Sequence, residues 1–381
     1  MRNSLSSIDA DQQAIASPTP DQRSDNSLAS LSVGRDNNLN LLRMVAASTV
    51  LVSHAYPISG SDGTADPLSQ ATGHTMGNIA VAVFFVISGF LITKSFNNGR
   101  GIAHWLLSRV MRVGPGLFVV LMLTTVVLGP LVTTLPLQQY FTNQRTLQYV
   151  PSNLSLWFIQ FTLPGVFEKN PYGGAINGSL WTLLYEVICY GGVFLAGIAG
   201  LLSKRRAFAA VLVLYLAAYA AVIITGPHPG GLNRIDHLAS LSFAFIVGMV
   251  GYLWRDRIVL DLRIGAALAI AALTLSGTLF AEAVLWIAIG YATLYLAYKP
   301  KGFTLRYNRL GDYSYGMYIY AFPIQQLMVY LLLGQHWHQN VALAFPVTLV
   351  LAILSWHLVE QRALALVRRP GARPHSQPAI A

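Results

Sequence analysis

The sequence predicts an all-α, polytopic membrane helix bundle with about ten transmembrane helices and cytoplasmic N- and C-termini. Composition is the first reason: 54% of the 381 residues are hydrophobic and 10% are charged, with a mean hydropathy of +0.51. Soluble domains carry ~25% charged residues, so this chain has too few charges to dress a water-facing surface. Its apolar residues are also gathered into runs near the ~20 residues that cross a ~30 Å hydrocarbon layer as a helix. They do not alternate with polar residues, which excludes a membrane barrel. Finally, the net charge of +10 is distributed asymmetrically along the chain. That is the pattern of a protein whose basic loops stay inside, rather than of a nucleic-acid binder.

Residues 1–36, rich in Ser, Asp, Gln and Asn, read as a disordered cytoplasmic tail, and no apolar stretch of a signal peptide follows Arg2. A single transmembrane domain then occupies 37–365, with apolar runs near 39–57, 77–96, 112–132, 179–201, 207–225, 237–254, 262–280, 282–298, 312–333 and 341–363. With the N-terminus inside, the outer loops hold only Arg145, Lys169 and Arg234, and the clusters at Arg109–Arg112, Lys204–Arg206 and Lys299–Arg309 fall inside. A long outer loop, 133–178, separates the third and fourth runs. Its apolar stretch Leu154–Phe167 is fourteen residues long and contains Pro164-Gly165, which is too short to span. Counting it as a span would move both later basic clusters outside, so it reads as an interfacial or re-entrant piece. Residues 366–381 form a second cytoplasmic tail. The one cysteine, Cys189, lies in an apolar run and reads as packing, which leaves no disulfide framework and no cysteine-built metal site.

The first apolar run carries Arg43 and, eleven residues on, His54. On a helix that interval is about three turns, which sets both on one face ~16 Å apart along the axis. A charge inside a span costs ~2.5–3.5 kcal/mol on insertion scales and usually faces a functional cavity. Glu186 lies about two turns into the fourth run. Asp62, Asp66, His74, Glu168, Asp236 and His237 fall on the outer side, and Arg100, His104, Arg109 and Arg112 crowd the loop between the second and third runs. An imidazole of near-neutral pKa can take a proton from an attacking hydroxyl. An interfacial histidine, a structural ion pair for Glu186 and plain inside-positive topology for Arg109 and Arg112 account for the same residues. Tyr149, Trp157 and Tyr172 in the long loop suit either sugar stacking or an aromatic belt. Residue chemistry alone yields a polar track from a basic inner vestibule to an outer histidine, a feature common to enzymes and carriers.

Arg43-(ten residues)-His54, followed by Phe84-Phe85-Val86-Ile87-Ser88-Gly89-Phe90, resembles the first two helices of the acyltransferase-3 family of membrane acyltransferases. Arg109-Val110-Met111-Arg112-Val113-Gly114-Pro115 is similar to its Arg-x-x-Arg-x-x-Pro motif. Asn177-Gly178-Ser179-Leu180-Trp181-Thr182-Leu183-Leu184-Tyr185-Glu186 is similar to its fourth helix, and Ser314-Tyr315-Gly316-Met317-Tyr318-Ile319-Tyr320 to its ninth. These blocks occur in order, and the resemblance runs from about residue 38 to 363.

The resemblance implies transfer of an acyl group, commonly acetyl, from cytoplasmic acyl-CoA to a hydroxyl of an extracytoplasmic glycan: a polysaccharide, lipopolysaccharide or glycolipid. The setting it implies is the cell inner membrane, with acyl-CoA as co-substrate, no permanently bound cofactor, no metal and no nucleic-acid partner. His54 would be the general base, Arg43 its partner, and Glu186 the support of the imidazolium. Arg109 and Arg112 would hold the CoA phosphates, which fork-shaped guanidinium groups suit. Arg43 would line the donor path and stabilise the thioester oxyanion, an interaction worth roughly 2.7–4 kcal/mol. Ser88 and Gly89 would either line the acyl path or pack helices. One departure stands out: many relatives carry a histidine before the Phe-Pro of the ninth helix, where this chain has Ala321-Phe322-Pro323. The rival reading is a secondary transporter or flippase for a polar envelope precursor. Against it, the sequence holds no inverted repeat and no matched pair of Gly/Pro-broken helices.

Overall fold

Caps and turn residues divide the apolar runs into helices. α1 (Leu39–Ser59) ends at Gly60, whose φ of 61° is the left-handed conformation that closes a helix. α2 (Met76–Asn97) starts at Thr75, whose hydroxyl accepts the Asn78 N–H at 3.0 Å. α3 (Ile102–Val132), α4 (Gly178–Ile198) and α5 (Arg205–Thr225) follow, and α6 (Arg234–Leu253) opens with a reciprocal capping box between Asn233 and Asp236. α7 (Leu262–Thr274), α8 (Ala281–Tyr298), α9 (Ser314–Leu331) and α10 (Trp337–Val367) complete the bundle. The structure, a computed structural model, describes residues 26–34, 36–60, 66–98, 101–226 and 233–367.

Each of the ten predicted runs forms a helix, and among the described residues β-pairing is limited to two isolated bridges. Among the described residues, eight helices are long and apolar enough to cross a bilayer. The other two fall short for different reasons. α7 has 13 residues, ~20 Å at 1.5 Å per residue. α9 has 18 residues but carries Gln325 and Gln326, and protein rather than lipid surrounds most of it. A second correction concerns the basic loop expected between the second and third runs. α3 begins at Ile102, so His104, Arg109 and Arg112 are helical, and the two arginines, three apart, are neighbours on one face.

The N-terminal tail also differs from expectation. Leu28 is fully buried and donates its N–H to the Ile258 carbonyl at 2.8 Å, so a short helix, Leu28–Leu31, is pinned beneath the α6–α7 turn. An apolar Leu28/Leu31 pair supplies the burial that the polar residues around it lack. Residues 1–25 and 368–381 of the two predicted tails, with Asp62 and Arg100, lie outside the described residues.

α2 is the hub, packed on α1, α4, α6 and α8. Its crossing with α6 is close because both helices present glycine. A Cβ on Gly89 would overlap the Phe245 backbone, and one on Gly248 would overlap the Val86 backbone. α9 sits between α1 and α10, joined by polar side chains: Gln325 donates to the Leu51 carbonyl at 2.9 Å and to Asn340 Oδ1 at 3.0 Å. The long connection 133–177 folds back on the bundle. Its helix Gln144–Leu154 packs along α3, Tyr140 donates to the Thr125 carbonyl at 2.9 Å, and Leu154 and Leu156 line one cavity with Val113 and Leu117. Leu117 lies fifteen residues inward from the end of α3, ~22 Å along the helix. The connection therefore descends well into the bundle. Asn177 then donates to the Ile319 carbonyl at 2.9 Å, fixing the start of α4 against α9.

Candidate active site

Polar groups are costly inside such a bundle unless paired, so their partners define the site. At the end where α1 begins, Asp312 lies in the turn before α9. One of its carboxylate oxygens faces Arg112 at 2.6 Å and Arg43 at 3.3 Å, while the other accepts the Ser314 hydroxyl at 2.5 Å. Burial alone would raise the Asp312 pKa, but the Arg112 and Arg43 guanidinium groups, with Ser314, hold it below the ordinary carboxylate range. Arg112 also faces Glu360 at 3.6 Å, and the other Glu360 oxygen accepts the Ser355 hydroxyl at 2.9 Å. The Tyr315 and Trp356 rings flank the guanidinium. A π-helical turn in α10, Trp356–Glu360, sets Trp356 and Glu360 in this position. Two cations thus meet two carboxylates. Arg109 is different: its Nε and Nη2 meet Ser108 Oγ at 3.3 and 3.2 Å, and it has no carboxylate partner among the described residues.

Neither Asp312 nor Glu360 was among the sequence-predicted site residues. Glu360 stands inside the last predicted run, so the rule that singled out Glu186, a carboxylate within a span, applies to it equally. Asp312 precedes the Ser314-Tyr315-Gly316 block by two residues.

Asp312, Ser314, Tyr315 and Trp356, but not Glu360, line a cavity of about 350 Å³ that reaches from Arg43, Arg109 and Arg112 to Ser88, Glu186, Thr182 and Tyr318. A neighbouring cavity of about 610 Å³, lined by Ser95, Asn98 and His104, shares Ser108, Arg109 and Leu364 with it. At the other end of the bundle, His54 lines a cavity of about 540 Å³ with Ser53, Asp66, Asn78 and Trp181. Its Nδ1 is buried without a hydrogen-bond partner among the described residues, and its ring meets the Phe322 ring edge-on with centroids 5.3 Å apart. Asp66 accepts the Ser53 hydroxyl at 2.6 Å and the N–H groups of Met76 at 2.8 Å and Leu68 at 3.0 Å. Val81, Thr182 and Tyr318 line both the Arg43 cavity and the His54 cavity.

Five predicted residues (Arg43, Arg109, Arg112, Ser88 and Glu186) therefore share one cavity, and His54 lies in the next. Two expectations are corrected. Glu186 accepts the hydroxyls of Ser88, at 3.0 Å, and Tyr190, and it does not line the His54 cavity. It stands one turn of α4 beyond Thr182, on the Arg43 side of the junction. The carboxylate that shares a cavity with His54 is Asp66. Gly89 serves the α2–α6 crossing and is not a lining residue. Among the loop aromatics, Tyr149 is fully buried and closed to a sugar, whereas Trp181 is the indole of the His54 cavity. His74 packs on Trp286, centroids 5.1 Å apart, outside that cavity.

Fold and site together define a polytopic membrane protein with a polar path through its helix bundle. An acyltransferase domain, that of the acyltransferase-3 family, matches residues 36–357, and the chain belongs to this family. It is 29% identical over 338 residues to the O-acetyl transferase of Shigella phage Sf6, covering 87% of this chain and 96% of that relative. It is also 29% identical over 370 residues to Nodulation protein 10 of Rhizobium leguminosarum bv. viciae, covering 88% of this chain and 95% of that relative. No solved structure matches the chain. The protein is thus a membrane acyltransferase, in line with the motif blocks read from its sequence.

Proposed function

We propose that the protein transfers an acyl group, acetyl by preference, from cytoplasmic acyl-CoA to a hydroxyl of an extracytoplasmic glycan, and that it resides in the cell inner membrane. The observation that carries this reading is the junction of the two cavities. A guanidinium-rich chamber and an imidazole-bearing chamber lie end to end and meet at Val81, Thr182 and Tyr318. One suits a polyanionic donor and the other an alcohol that must lose a proton.

In this account Arg109, which has no carboxylate partner, contacts the CoA phosphates, and the adjoining cavity with His104 receives the nucleotide end. Arg112, engaged by Asp312 and Glu360, holds the charge cluster together instead. Arg43, bonded to Asp312, lies at the far end of the donor chamber from the junction. The ~16 Å between Arg43 and His54 along α1 keeps it from the reacting carbon. It guides the pantetheine arm, and the oxyanion role expected of it passes to groups nearer the junction. The sugar enters beside Trp181 and Asn78. His54 takes the proton of its hydroxyl as the new C–O bond forms and the C–S bond breaks, with CoA leaving as the thiolate. Asp66, held by Ser53 and by the N–H groups of Met76 and Leu68, is the carboxylate that lines the same chamber.

The test is purified protein given labelled acetyl-CoA and envelope glycan. Label is expected in the glycan with the wild type and absent with His54→Ala. Unmodified glycan precursor crossing vesicles without acylation would instead establish the carrier.

A further inference from the structure

Three residues, Val81, Thr182 and Tyr318, line both chambers, and two of them carry hydroxyls. Tyr318 on α9 and Thr182 on α4 point their hydroxyls at each other, 2.6 Å apart. The Tyr318 hydroxyl also donates to the Ser179 carbonyl at 2.9 Å. Phe84 on α2 packs edge-on against the Tyr318 ring, centroids 5.9 Å apart, and Val81 completes the partition. The hydrogen bonds that close the partition all involve the Tyr318 hydroxyl, so opening it breaks neutral hydrogen bonds while the helix–helix contacts stay in place.

We propose that the Thr182–Tyr318 pair is a gate. It is closed at rest, sealing the donor chamber from the His54 chamber, and it opens to admit the acyl end of the donor. The inference deepens the functional reading above: assignment of the acyl group to the gate rests on that reading, whereas closure of the gate does not. The physical need is plain. A thioester in a chamber continuous with bulk water beside a general base would be hydrolysed, because water competes with the sugar hydroxyl for the same carbonyl. The gate hydroxyls stand where the linings of the two chambers meet. An acyl carbonyl entering there meets the Thr182 and Tyr318 O–H groups in place of the bonds they make to each other and to the Ser179 carbonyl. Because the opening is framed by Val81, Thr182 and Tyr318, their size selects short acyl groups.

The experiment uses full-length protein in proteoliposomes, in a Cys189→Ala background. Leu91→Cys reports on the donor chamber and Asn78→Cys on the His54 chamber. A charged, membrane-impermeant thiol reagent is added to the His54 face. Asn78→Cys should react quickly and Leu91→Cys slowly. Adding Thr182→Ala should speed Leu91→Cys labelling about five- to tenfold, the effect of losing one neutral hydrogen bond from the closed state, and Tyr318→Phe, which removes the bonds to both Thr182 and the Ser179 carbonyl, should speed it at least as much. The same two variants, assayed with acetyl- and butyryl-CoA, should raise acceptor-free hydrolysis relative to transfer, and Thr182→Ala should widen use of the butyryl donor. Two variants are used so that misfolding of one does not decide the result. Fast Leu91→Cys labelling with the native pair, or no acceleration in either variant, would overturn the gate. Acceleration without any change in hydrolysis-to-transfer ratio would overturn acyl passage through it. If no form, wild type included, turns over acyl-CoA while the labelling pattern holds, the donor reading fails and the closed partition stands.

Discussion

Asp312 pairs with two guanidinium groups at once, those of Arg43 and Arg112, which makes it the residue whose loss should be felt most. Removing one partner of a buried pair leaves an uncompensated charge and costs roughly 3–5 kcal/mol. Asp312→Asn should therefore lower the thermal stability of the detergent-solubilised protein by about that amount and impair turnover, even though Asp312 touches no substrate in our account. A melting temperature equal to wild type would contradict the pairing. The same carboxylate sets a pH dependence. Its folded pKa is depressed, so its stabilisation is present above the unfolded value of ~3.9 and is lost as pH falls through the lower folded value. The melting temperature should be insensitive to this group between neutral pH and about pH 5 and should fall below about pH 4, a dependence that Asp312→Asn removes. Arg43→Lys keeps the charge on Asp312 but loses the planar fork. It should insert and fold normally while the KM for acyl-CoA rises several-fold. Unchanged KM and kcat would take Arg43 out of donor handling and leave it a purely structural cation.

At the scale of elements, the α2–α6 crossing makes the clearest demand. Gly89→Ala puts a methyl into the Phe245 backbone, so the helices must part, and overpacking of this kind costs about 1–3 kcal/mol. Ser88, the next residue, bonds Glu186, so the shift should reach the donor chamber and lower activity along with stability. A Gly89→Ala protein that melts and turns over like wild type would mean the crossing is looser than it stands here. Helix existence was legible in the sequence because apolar runs of span length have few alternatives. Helix ends were less so. Ser276-Gly277-Thr278 stops the seventh run early, with Gly277 at a φ of 83°, and hydropathy does not register such a turn. The start of α3 is hidden for the opposite reason: Arg109 and Arg112 look like loop residues until a carboxylate from another helix, Glu360 of α10, is seen to meet one of them. Within the site, Arg43, His54 and Glu186 could be singled out as ionisable groups inside spans. Asp312, Thr182, Tyr318 and the separation of Glu186 from His54 could not, because each depends on which helices are neighbours. The contact between α4 and α9 is set by Asn177 and Ile319, which lie far apart in sequence.

At the scale of the whole molecule, the account is one of division. Charge pairs stand at one end of the bundle, an imidazole at the other and a hydroxyl-paired junction between them; in the proposed reaction these give donor and acceptor separate entrances to a common reaction point. The long connection 133–177 contributes by holding the start of α4 against α9, where both junction hydroxyls are placed. Belonging to an acyltransferase family gives that path a reaction to serve. The most direct test reconstitutes the protein in proteoliposomes with labelled acetyl-CoA confined to the Arg109 face and glycan confined to the His54 face. Label should appear in the glycan, should vanish with His54→Ala, and should not appear when the two substrates are exchanged between faces. Equal labelling by His54→Ala, or transfer regardless of which face holds the donor, would contradict it.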